Sequence, residues 1–122
     1  MCRILLSINP EYSSKIMQGI KKYEFRRQIA KKNVDEILVY STFPQMKVLG
    51  SVKVKGIISE SPINLWNKTK ESAGICEEKY FNYFSNKDIA HAYVLGEVET
   101  FLPPKDLSDY GLKTAPQSFV YL

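Results

Sequence analysis

Apolar and polar positions change period several times along the chain, and each change marks a predicted element. Arg3–Ile8 (RILLSI) is a short apolar run closed by Asn9-Pro10, the pattern of a buried strand. Asn9 followed by Pro10 is also a helix start, because a capping side chain precedes a proline that gives up no helical hydrogen bond. A helix is predicted from there to about Gln18, with Tyr12, Ile16 and Met17 toward the core and Gly19 as its left-handed stop. From Lys21 to Arg27 (KKYEFRR) the period falls to two. Tyr23 and Phe25 share one face of this strand, Glu24 and Arg26 the other.

Asp35–Thr42 and Lys47–Ser59 read as further strands, the second strongly alternating and carrying a bulge or bend at Gly50. Ser61-Pro62 repeats the cap-and-proline start and predicts a helix to about Lys68, with Ile63 and Trp66 one turn apart. A second helix is expected over Glu77–Phe84, on the stripe Tyr80, Phe81 and Phe84. Ala90–Phe101 reads as a strand ended by Pro103-Pro104, Leu107–Gly111 as a turn or short helix, and Ser118–Leu122 as the last strand. The order β-α-β-β-β-α-α-β-β predicts an α+β fold, a mixed β-barrel with helices at its rim. Nothing in the 122 residues suggests a repeat, a linker or a boundary, so residues 1–122 are expected to form one domain.

The composition, 44% hydrophobic and 25% charged, is that of a folded globular chain and excludes disorder. Cys2 and Cys76 have no metal-binding spacing, and no cofactor motif is present, so neither metal nor cofactor is expected. Met1–Ile8 is too short for a signal peptide and no apolar run approaches 18 residues, which predicts a cytoplasmic protein without a membrane partner. The net charge of +4 is uneven. Residues 1–55 hold eleven Lys and Arg against four acids, and residues 56–122 hold six against nine. Between Lys15 and Lys32 seven cations face a single acid, Glu24, which suits a phosphate-bearing ligand.

The richest chemistry lies in Gly19–Arg26, which reads G-x-K-x-x-E-x-R. Lysine is a mobile point charge or proton carrier, and arginine a rigid fork for phosphate or a base edge. Glutamate between them can accept from a base, activate water, or hold the arginine in place. Lys21 and Glu24 differ in strand parity, so they share a face only if Lys21 lies in the turn before the pleat. The octapeptide resembles the signature of the ASCH (activating signal cointegrator homology) domains, a branch of the PUA-like superfamily. Ser7–Arg27 as a whole is similar to small stand-alone members, as are Tyr40–Pro44 and Ala115–Phe119.

The resemblance implies a PUA-like barrel whose cleft is lined by Lys21, Glu24 and Arg26, and an RNA-related role. It also implies two enzymatic alternatives, since some members are small ribonucleases and one is an amidohydrolase acting on acetylcytidine. In that amidohydrolase a catalytic threonine stands where this chain has Glu24, and a lysine stands at Lys21. Glu71 is the candidate here for its second carboxylate. Tyr40, Ser41, Gln117 and Ser118, at strand ends, are expected to border the cleft and contact the ligand. Arg27, Lys31 and Lys32 read as surface charge, and His91 and Trp66 as structural. Two functions stay open: a module binding RNA or a nucleotide, with regulation as its role, and a hydrolase using Lys21 and Glu24 as a proton-transfer pair. A protein partner is a third reading.

Overall fold

A computed structural model describes residues 1–122. The elements follow the expected order: β1 (Arg3–Ile8), α1 (Pro10–Met17), β2 (Tyr23–Arg26), β3 (Glu36–Ser41), β4 (Lys47–Glu60), α2 (Pro62–Thr69), α3 (Glu77–Tyr83), β5 (Ala90–Lys105) and β6 (Phe119–Tyr121). Short 3₁₀ turns lie at Lys70–Ser72 and Leu107–Tyr110. The Ser61 side chain caps α2 by accepting from the Asn64 amide at 3.3 Å. Asn9 starts α1 differently: its backbone carbonyl accepts from the Tyr12 and Ser13 amides, and its side chain makes no cap. Gly19 holds φ +77°, which lets the chain leave α1 and turn directly into β2.

The six strands form one mixed sheet in the order β2-β5-β4-β3-β1-β6, curled into a half-barrel. Only β1 and β3 are parallel, joined by the crossover through α1 and β2. The ladder shifts register at Gly50, where the sequence marks a bulge. One correction concerns β5. It runs through Pro103-Pro104 to Lys105, which pairs with Val48. Proline lacks only its own N–H, and the irregular register between Gly50 and Val48 asks no regular ladder bond of it.

Strand parity sorts three cores. Ile4, Leu6 and Ile8 of β1, Ile37 and Val39 of β3, and Tyr93 and Leu95 of β5 fill the concave face with Ile16 of α1. Phe25, Ala90 and Ala92 on the opposite face pack beneath Leu65 of α2 and Tyr80 and Phe84 of α3. Leu5, Leu38, Tyr40 and Val48 form a third cluster, covered by Leu107 and Tyr110. Trp66 belongs to the second group, its ring centroid 4.8 Å from that of Tyr80. The edges β2 and β6 do not pair. The loop after β2 bridges them instead: the Ala30 amide donates to Tyr93 Oη at 2.9 Å and the Lys31 amide to Tyr121 Oη at 3.1 Å.

Candidate nucleotide-binding cleft

The G-x-K-x-x-E-x-R segment lies along the floor of a cleft of about 590 Å³, between the β1–α1 junction and α3. Because β2 begins at Tyr23, Lys21 sits in the turn before the pleat, and so Lys21, Glu24 and Arg26 line the same cleft despite their parity. Glu24 and Arg26, two apart, project from one face of β2. Arg26 Nη2 and Nε donate to Glu24 Oε2 at 2.9 and 3.0 Å. Nη2 also donates to the Ser7 carbonyl of β1 at 3.0 Å, spanning the mouth of the half-barrel. Ser7 is itself fixed to the C-terminal segment, its hydroxyl donating to Pro116 O at 2.6 Å and its amide to Ser118 O at 3.2 Å. Arg26 is therefore a rigid fork held from two sides.

Lys21 is only 4% exposed. Its Nζ donates to Ala73 O at 2.7 Å and lies 4.8 Å from the Phe25 ring centroid and 5.3 Å from that of Tyr12. Burial lowers its pKa from 10.5 to about 8; the Glu24 carboxylate pulls the other way, and Lys15 and Arg26 push it down further. Gly74, at φ +69°, makes room for this side chain: a Cβ there would come within 2.6 Å of Lys21 Cβ and Cγ.

The wall opposite comes from α3 and the segment before it, through Ile75, Lys79, Asn82 and Tyr83. Sequence reading missed these, together with Ser7 and Asn9, and assigned Tyr12 wholly to the core. Tyr12 is half-buried, packed on the concave core while also facing the cleft. Asn82 and Tyr83 follow Tyr80 and Phe81 on α3, so the helix pattern held a hint, but only the fold shows which flank of α3 meets the cleft. Lys79 donates to Glu11 at 3.4 Å, a bond that raises its pKa.

Other candidates lie elsewhere. Tyr40 is buried on the opposite face of β3 in the third cluster, because positions 38 and 40 point away from positions 37, 39 and 41. Ser41 is on the concave side but fully buried, bonded to Ser13 Oγ at 2.8 Å and to Gln45. Neither reaches the cleft. Gln117 and Ser118 line a smaller groove of about 310 Å³ that adjoins it through Arg26, Arg27 and Tyr83. Glu71 is exposed in the turn after α2 and does not line the cleft. His91 pairs with Ser59, Nδ1 to Oγ at 2.6 Å. The seven cations between Lys15 and Lys32 form no single patch: Lys15 turns toward Gly74 O at 3.4 Å, whereas Lys32 lies over the Tyr121 ring at 5.0 Å. No group of three or more His, Cys, Asp or Glu is placed to hold a metal ion, and no helix is long and apolar enough to cross a membrane.

A curled mixed sheet with a rim helix pair and a Lys-Glu-Arg cleft defines a small PUA-like α+β domain. The chain belongs to the ASCH domain family, whose model matches residues 6–104. The crystal structure of ASCH from Zymomonas mobilis superposes with a TM-score of 0.90 at 27% identity, covering 98% of this chain and 87% of that one. An ASCH domain-containing ribonuclease from Zymomonas mobilis is 29% identical over 100 residues, 81% of this chain and 68% of the relative. Two longer relatives from Ureaplasma parvum each match 98% of this chain. They are ATP synthase subunit alpha, at 32% identity, and large ribosomal subunit protein uL22, at 29%. The chain spans 15% and 39% of their lengths.

Proposed function

We propose that the protein binds RNA or a nucleotide in the cleft floored by Lys21, Glu24 and Arg26. The observation that carries this reading is the Arg26 fork, held by Glu24 and the Ser7 carbonyl beside a buried ammonium. A guanidinium immobilised before binding loses little entropy when it takes a phosphate or a base edge, and the nearby lysine adds charge at short range. The cleft has the volume of a small-ligand site. Tyr12 and Tyr83 on its walls are aromatic side chains of the kind on which a base stacks. The ribonuclease name of one relative supports an RNA ligand.

A second reading, hydrolysis of RNA or of a modified nucleoside such as acetylcytidine, is favoured by one observation. Lys21 has a pKa moved toward 8, in the range where a buried amine exchanges protons near neutrality. Against it, Glu24 is committed to Arg26, and the amidohydrolase threonine is absent. Nucleosides, nucleotides and short RNAs screened for both thermal shift and turnover test the two together. The binding reading expects shifts without product. Product formed at an enzymatic rate favours the hydrolase, and no shift with any ligand overturns the assignment of the cleft.

A further inference from the structure

Two ion pairs border the cleft, and they are built differently. At its floor Arg26 meets Glu24 at 2.9 Å, with both side chains nearly closed to solvent. At its mouth Lys79 meets Glu11 at 3.4 Å, and the distance is the same to both carboxylate oxygens. Both of these side chains are more than half exposed. Charge-assisted bonds ordinarily close to about 2.7–2.9 Å, so the mouth pair is held loosely. It also joins opposite walls. Glu11 lies in the first turn of α1, on the side of Asn9 and Tyr12, whereas Lys79 stands on α3 beside Asn82 and Tyr83. No other hydrogen bond or ion pair connects α1 to α3. The ordinary helical partner of Glu11 is Lys15, four residues on, in the order that favours pairing along a helix. Lys15 is turned instead to the Gly74 carbonyl at 3.4 Å, which leaves Glu11 to Lys79. Lys79 lines the cleft and Glu11 does not. The carboxylate thus draws the one cation of the α3 wall away from the space.

From this arrangement we infer that Glu11 is a specificity-determining residue, which sets the cleft's preference between phosphate-bearing and neutral occupants by holding Lys79. The inference rests on the cleft reading above and adds the residue that selects among its ligands. A phosphate at the mouth takes Lys79 from Glu11 and is left facing the carboxylate it has displaced. A neutral nucleoside passes the pair and leaves it closed. The exchange is open to Glu11 and Lys79 because both stand in water, where an ion pair contributes little and a freed carboxylate is solvated. It is closed to Glu24 and Arg26, where a separated charge would be stranded in the protein.

The test titrates the common ribonucleosides and their 3′- and 5′-monophosphates into wild type, Glu11→Gln, Lys79→Gln and the double variant. Both positions are exposed, so melting temperatures are expected to stay near that of wild type. The readout is the ratio of monophosphate to nucleoside affinity. It should rise about three- to tenfold in Glu11→Gln, for at least one phosphate position, and fall by a similar factor in Lys79→Gln. With Lys79 already replaced, Glu11→Gln should lose most of its effect, because no cation remains to be released. The rise should also fade toward 1 M salt, where the Debye length is about 3 Å. A ratio unmoved by Glu11→Gln at either phosphate position overturns the inference. So does a full rise that persists without Lys79, since Glu11 then acts only by repelling the phosphate. Both results leave the cleft reading standing. If wild type binds neither nucleosides nor monophosphates, the cleft reading falls and the role of Glu11 falls with it.

Discussion

The ammonium of Lys21 donates to the carbonyl of Ala73 at 2.7 Å from a position almost closed to solvent. A lysine at the start of a strand reads in the sequence as a side chain that buries little and can be cut back without cost to the fold. The structure reverses that expectation. Lys21→Ala removes a buried stem packed under Gly74 and on Phe25, and leaves Ala73 O without its donor. Near pH 10.5, where the folded-state amine is neutral and no buried charge offsets the loss, the expected decrease is about 2–4 kcal/mol of stability, set by the cavity and the lost hydrogen bond. Urea unfolding of the variant measures it. A loss below about 0.5 kcal/mol, the range of ordinary surface substitutions, contradicts the burial.

The same burial predicts a pH signature. In the unfolded chain Lys21 holds its proton up to about 10.5, whereas in the folded protein it releases it near 8. Between those values the unfolded state binds more protons, so the Lys21 term makes the fold more stable as pH rises. Below pH 8 the penalty for burying the charge is fully present. Wild-type stability measured relative to Lys21→Met should climb on the order of 3 kcal/mol between pH 8 and 10.5. Ionisations common to both proteins cancel in the difference. A flat difference contradicts the lowered pKa.

Gly74→Ala should damage the site from outside it. The alanine is strained at φ +69°, and its methyl collides with Lys21 Cβ and Cγ. Together these cost about 2–4 kcal/mol and push the ammonium off Ala73. A melting temperature and a nucleotide titration, both lower than those of wild type, are the expected outcome. Gly111→Ala, which has the same sign of φ and open space around it, should lose stability only.

How much of this was legible depends on the distance over which each feature is decided. The element order, the β1–α1 start, the Gly19 turn and the Gly50 irregularity follow from local pattern, since capping, period and positive φ are properties of a few neighbouring residues. The Lys21, Glu24 and Arg26 grouping was legible for the same reason: six residues span a turn and two pleats. Tyr40 and Ser41 were not, because which face of β3 meets the cleft depends on its register against β1 and β4. The wall from Asn82 and Tyr83 was hidden likewise, since α3 reaches the cleft only through the packing of Tyr80 and Phe84 on Phe25. Pro103-Pro104 misled because proline breaks a regular ladder but not an irregular one.

Glu24→Gln separates the two roles open to this carboxylate, because it keeps shape and removes charge. As built, one oxygen of Glu24 receives both Nε and Nη2 of Arg26, and the second anchor is the Ser7 carbonyl. A glutamine offers a neutral acceptor in its place, so the fork loses its charge-assisted hold while Arg26 stays charged and poorly solvated. Stability should fall by about 1–3 kcal/mol. If Glu24 orients Arg26, nucleotide affinity falls with it, and Arg26→Lys gives the same loss, since lysine keeps the charge but has no fork. If Glu24 is instead a general base, binding persists in Glu24→Gln while any turnover drops by about 100-fold or more, and Arg26→Lys does not reproduce that split. The expected result is the first. The Glu24 carboxylate is already engaged by the Arg26 guanidinium, and the same contacts that engage it fix the geometry a phosphate would meet.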